Sequence, residues 1–174
     1  TPPDPSIYLA GHSYSAALAT AGAFETTLSG SADVVVAVLN PGAPAPEEDL
    51  QYLTYLGTAY TDWARDIAVD DDGDAYIVGE STNSKSLPQF PTTPNAYKPS
   101  LKIKTTIIFS AFFSRLSPDG AGAADLKYST FFKDPDGLEW AYAVDVDENK
   151  ASESSGPPMS GYAVLVRSSE DAQW

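Results

Sequence analysis

Tyr76-Ile-Val-Gly-Glu-Ser81 repeats Tyr8-Leu-Ala-Gly-His-Ser13, and Leu126-Lys-Tyr-Ser-Thr-Phe-Phe132 repeats Leu50-Gln-Tyr-Leu-Thr-Tyr-Leu56. Two motifs that return in the same order about 75 residues later define a repeat unit. A unit of this kind cannot bury its own faces and must stack on neighbours. The interval stretches between copies: Tyr8 to Tyr76 is 76 − 8 = 68, Leu39 to Leu116 is 116 − 39 = 77, and Val69 to Val144 is 144 − 69 = 75. The pattern is kept in the apolar runs, so the length changes belong to loops.

Within the first copy, Ser6 to Gly11, Asp33 to Leu39, Gln51 to Leu56 and Arg65 to Val69 are short β-branched or aromatic runs bounded by Gly, Pro, Asn or Asp, the signature of strands. The second copy offers Ala75 to Gly79, Ile107 to Leu116, Lys127 to Phe132 and Ala141 to Val146. With 14 prolines and no long 3.6-residue apolar period, helices are expected to be few. Asp72-Gly73 and Asp119-Gly120 read as tight turns. Gly11 and Gly79 read as places where the chain bends or approaches another backbone. Residues 1–75 and 76–150 form the two repeats, and residues 151–174 form a linker, Lys150 to Pro158, followed by one more strand. That strand contains Tyr162, Ala163, Val164, Leu165 and Val166.

The motifs also carry a family likeness. Ile67-Ala-Val-Asp-Asp-Asp-Gly-Asp-Ala-Tyr-Ile-Val-Gly-Glu-Ser81, Phe90-Pro-Thr-Thr-Pro-Asn-Ala-Tyr97, Phe113-Ser-Arg-Leu-Ser-Pro-Asp-Gly120 and Tyr128-Ser-Thr-Phe131 resemble the bacterial and archaeal SBBP-type β-propeller repeat. Ala21 to Phe24, Ala37 to Gly42 and Tyr52 to Gly57 keep the pattern more loosely, so the likeness spans residues 6 to about 147. It implies an all-β, propeller-like protein of antiparallel four-stranded blades, in a secreted or cell-surface setting and without an established catalytic site. The chain then holds about two blades and a terminal strand. A propeller typically needs about four to eight blades. The shortfall points to assembly with copies of the same chain, through donation of residues 162–166 to an incomplete blade.

Composition narrows the partners. Ten Lys and Arg against 24 Asp and Glu give a net charge of −14. Such a surface repels nucleic-acid backbones and anionic lipid, which require clustered cations. The longest apolar runs, Val34 to Leu39 and Ile107 to Phe113, fall far short of the roughly 20 residues of a membrane-spanning helix. Without cysteine, disulfides and thiolate chemistry are absent. The start at Thr1 reads as a mature or excised chain.

Candidate chemistry is sparse. His12, the single histidine, stands where the other copy has Glu80, and no nucleophile triad or phosphate cradle surrounds it, so no enzymatic activity is expected. Asp70, Asp72 and Asp74 alternate around a turn and offer hard oxygen ligands for calcium, with Asp145, Asp147 and Asn149 as the weaker counterpart. The competing explanation is a solvated turn. Trp63 and Trp140 flank equivalent strands, offset by two residues, and offer stacking faces for a glycan, with packing between blades as the alternative. The leading reading is an extracellular structural subunit that self-assembles into a ring or filament. A carbohydrate- or calcium-dependent adhesion module is the second.

Overall fold

The computed structural model describes residues 6–104, 106–132 and 139–146, and the backbone of 162–168. It is all-β, in three antiparallel sheets. The first contains β1 (Ile7–Ser13), β2 (Asp33–Leu39) and β3 (Leu50–Leu56). The second contains β4 (Asp62–Val69), β5 (Ala75–Ser84), β6 (Ile107–Leu116) and β7 (Leu126–Phe132). The third pairs β8 (Glu139–Val146) with β9 (Tyr162–Ser168). Pro46–Glu48 and Gly122–Asp125 form short 3-10 turns. The expected linker at 150–158 lies outside the described residues.

The sheets do not divide where the sequence repeats divide. Arg65 to Val69 was expected to close the first copy and Ala141 to Val146 the second, yet β4 pairs with β5 and β8 with β9. The reason is local. Asp70 to Asp74 is a tight hairpin turn, with Gly73 at φ 84° and the Asp70 amide donating to the Asp74 carbonyl at 3.1 Å. A turn of this kind joins the strands on either side of it more readily than a distant pairing could. The second and third sheets therefore open with the strand that ends the preceding repeat.

Period-two alternation gives the first and second sheets two apolar faces each. One face of the first sheet carries the cross-strand rows Ile7–Leu39–Leu50 and Leu9–Ala37–Leu53, here called its leading face. The opposite, trailing face carries Tyr8, Ala10, Val34, Val36, Val38, Tyr52 and Leu56, which pack onto Ala75, Ile77, Phe112, Leu116 and Phe131 of the second sheet. The trailing face of the second sheet, with Tyr76, Val78, Ala111 and Phe113, packs in turn on Ala141, Val144 and Val146 of β8. Polar ties reinforce the stack. The Tyr8 hydroxyl donates to the Gly73 carbonyl at 3.2 Å, that of Tyr52 to Asp125 at 2.9 Å, and the Val144 amide to Asp66 at 2.9 Å.

The long loops protect the outer sheet edges. The Thr20 amide donates to the Leu53 carbonyl and the Tyr55 amide to the Glu25 carbonyl, so the loop after β1 lines the free side of β3. The Ser-, Thr- and Pro-rich loop after β5 does the same to β7, through Thr93 to Ser129 and Phe131 to Lys98. Its Phe90 stacks on Phe112 at 4.3 Å. Covering an edge in this way removes a template for unwanted pairing.

The two repeated glycines differ in surroundings. A Cβ on Gly79 would lie 1.9 Å from the Trp63 carbonyl oxygen and 2.9 Å from the Phe112 ring, whereas a Cβ on Gly11 would meet nothing within 4 Å. Gly79→Ala should destabilise the fold by about 1–3 kcal/mol through overpacking. Gly11→Ala should leave the dilute chain within about 0.5 kcal/mol of its parent. Urea denaturation at low protein concentration measures both.

Candidate functional site

The leading face of the first sheet is the most distinctive surface. By the repeat, Ile7 corresponds to Ala75, Leu9 to Ile77 and Gly11 to Gly79. Ala75 and Ile77 are 0% exposed beneath the first sheet, whereas Ile7 and Leu9 are 45% and 49% exposed. Leu50 is exposed too, and Val35, Leu39 and Leu53 beside it are half-buried. A surface patterned for burial thus stands open. The edge of β1 is open as well: among the described residues β1 forms its ladder with β2 alone.

Residues 162–166 lie in β9, which pairs with β8 of the same chain, with Val144 opposite Val164 and Val146 opposite Tyr162. Together β8 and β9 start a third sheet within the chain. Their register repeats that of β4 on β5, including a bulge after Ala64 in one pair and after Ala141 in the other. On this register Trp63, opposite Glu80, and Trp140, opposite Arg167, are equivalent positions. The two-residue offset read from the sequence disappears because the true interval here is 140 − 63 = 77.

Trp63 sits on the boundary between the first two sheets. Its ring meets His12 edge-on at 6.3 Å, and the Arg65 guanidinium lies over it at 6.0 Å while pairing with the buried Glu80 carboxylate. Tyr14 in turn meets His12 edge-on at 5.6 Å. The cation over the Trp63 ring takes a face that a stacked sugar would use. Trp140 is half-buried.

The aspartates of the β4–β5 turn are engaged in the turn itself. Asp70 accepts the Asp72 and Asp74 amides at 3.0 Å each and the Tyr76 hydroxyl at 2.9 Å. Burial, followed by the Asp70 carboxylate it donates to, raises the Tyr76 phenol above its ordinary range. Asp74 accepts from Arg115 Nε at 2.6 Å and from Ser117. Among the described residues no three His, Asp or Glu side chains converge as a metal ion requires. The Asp70 and Asp74 carboxylates serve an Asx-type turn and an ion pair with Arg115. Asp147 and Asn149 lie outside the described residues.

Sequence reading missed a groove of about 610 Å³ between the loops of the first two sheets, lined by Phe24, Glu25, Ser29, Thr58, Gln89 and Pro91 among others. Two buried carboxylates hold its walls. Asp33 accepts the Ser29 and Gly30 amides at 2.7 and 3.2 Å, and Asp62 accepts the Thr58 amide at 2.6 Å and the Thr82 amide at 3.2 Å. Burial raises both pKa values against these hydrogen bonds, that of Asp62 from 3.8 to about 6. The sequence signal was the acid that opens β4 and β8 alike, Asp62 and Glu139, but burial follows from stacking alone.

Residues 51–86 match the family model described as SBBP, beta-propeller repeat. The matched segment runs from β3 through β4 and its turn to β5, and so crosses from one sheet to the next. No curated protein matches the chain.

Two outcomes follow from the carboxylates. Asp70→Ala should cost about 2 kcal/mol with or without millimolar calcium, since it removes three hydrogen bonds of the turn. Calcium-dependent melting that vanishes with this substitution would contradict the turn assignment. Asp62 binds its proton more tightly folded than unfolded, so its contribution to stability falls as pH rises from about 4 to 6 and is level above that. The fall should be roughly 3 kcal/mol. The difference between parent and Asp62→Asn unfolding free energies across that interval isolates it.

Proposed function

We propose that this chain, which carries the SBBP β-propeller repeat at residues 51–86, is a non-enzymatic structural subunit that self-assembles into a ring or filament outside the cell. The observation that carries the reading is the contrast between Ile7 and Leu9, about half exposed, and their fully buried counterparts Ala75 and Ile77. Covering the exposed half of side chains of this size stabilises an assembly by roughly 1 kcal/mol each. At about two blades per chain and four to eight per propeller, roughly two to four copies would close a ring. A rotation that does not close gives a filament. The net charge of −14 and the absence of cysteine are compatible with an extracellular setting. An adhesion role through glycan or calcium draws less support, because Arg65 lies over Trp63 and Arg115 and the turn amides engage Asp74 and Asp70.

The mass in solution should rise with concentration above that of the 18.4 kDa chain, and electron microscopy should show rings or fibres. Leu9→Arg should weaken association by at least about tenfold, the equivalent of ~1.4 kcal/mol, without unfolding a side chain that is already half exposed. An 18.4 kDa monomer at every concentration would overturn the reading.

A further inference from the structure

We infer that the site of association is the open edge of β1 together with the leading face of the first sheet, and that its occupant is a second copy of this chain, whose β8 pairs with β1 in place of β9. The inference rests on the self-assembly reading above and specifies its interface.

The pairing is already present twice within the molecule. Asp62-Trp-Ala-Arg-Asp-Ile-Ala-Val69 lies on β5, and Glu139-Trp-Ala-Tyr-Ala-Val-Asp-Val146 lies on β9 in the same register, each with its bulge after the alanine. β1 is the repeat of β5, yet no such strand lies on its edge among the described residues. Transferring the β4–β5 register places Glu139 opposite Ser13, Trp140 opposite His12, Ala141 opposite Gly11 and Val144 opposite Leu9. A four-stranded blade results, with β8 from one copy and β1, β2 and β3 from the next.

Gly11 is an independent observation. At Gly79 the side chain is excluded by the Trp63 carbonyl of the strand on its edge. At Gly11 open space stands where that carbonyl would be. A β8 strand of a second copy would bring the carbonyl of Trp140 to this position.

The faces match as the edges do. With β8 still packed on its own second sheet, the incoming first sheet would lay Ile7, Leu9, Leu39 and Leu53 over the Tyr76, Val78 and Phe113 face. β8 covers part of this face, and Tyr128 and Phe132 remain only partly buried there. This reproduces the packing of the second sheet on the first within one copy. Exchange replaces the seven-residue strand β9 with the seven-residue strand β1, so little ladder is lost, and two further strands and an apolar face are gained. β9 is thus the internal occupant that a neighbour displaces.

The cysteine-free chain permits a direct test in the full-length protein. Chains carrying Leu9→Cys and Val144→Cys are mixed and mildly oxidised. A disulfide-linked pair at twice the chain mass is expected, because directly opposed positions fall within the 4.4–6.8 Å Cα separation a disulfide needs. Ile7→Cys with Val144→Cys, displaced by two residues along the same face, should give none. Gly11→Ala added to the Leu9→Cys chain should abolish the crosslink while leaving the melting temperature of the dilute chain unchanged. Oligomers that persist without the in-register crosslink, or that tolerate Gly11→Ala, would overturn this interface and leave self-assembly standing. A monomer under all conditions would overturn both.

Discussion

A sheet that is apolar on both faces has to be covered on both, and that requirement organises the molecule. The second sheet meets it, with the Ile77 and Phe112 face against the first sheet and the Tyr76 and Phe113 face against β8. Burial of aromatic and branched side chains on this scale dominates any single hydrogen bond. The first sheet has the same two faces, but only one of them is covered. The open face is not a defect of patterning, since it repeats residues that are fully buried one blade later.

Edges and faces are managed differently. The outer edges of both larger sheets are sealed within the chain, by the backbone around Thr20 and Glu25 on β3 and around Thr93 and Lys98 on β7. The edge of β1 receives no such cover among the described residues. Covering an outer edge removes a template for the lateral pairing that leads to disordered aggregates.

Electrostatics supports this frame. With 24 acidic residues against ten basic ones, carboxylates are abundant, and the buried ones are put to structural use. Asp62 fixes the crossing from β3 to β4 through the Thr58 and Thr82 amides, Asp70 shapes the hairpin that sends β4 into the second sheet, and Asp74 ties that turn to Arg115 on β6. The nearby Asp33 carboxylate also opposes the ionisation of Asp62 and so adds to the rise at Asp62. The acids most suggestive of a metal site are those that make the blade turn where it does.

The strand runs, the all-β class, the repeat and its glycines follow from the sequence, because side-chain alternation and turn propensity are local and survive in a linear reading. The likeness of residues 51–86 to the SBBP repeat was legible for the same reason: Ile67 to Ser81 is a hairpin whose residues interact with near neighbours. The assignment of strands to sheets was not legible. Whether Arg65 to Val69 completes one blade or opens the next depends on competition between a tight turn and a distant partner, and only the folded chain resolves it. The same holds for the equivalence of Trp63 and Trp140, which insertions in the intervening loops disguise until register is seen. Two glycines in identical motifs proved different because one touches a neighbouring strand and the other faces open space. Sequence supplies the shape of each surface, and tertiary structure decides which surfaces are already occupied, because occupancy is a property of positions brought together from distant parts of the chain.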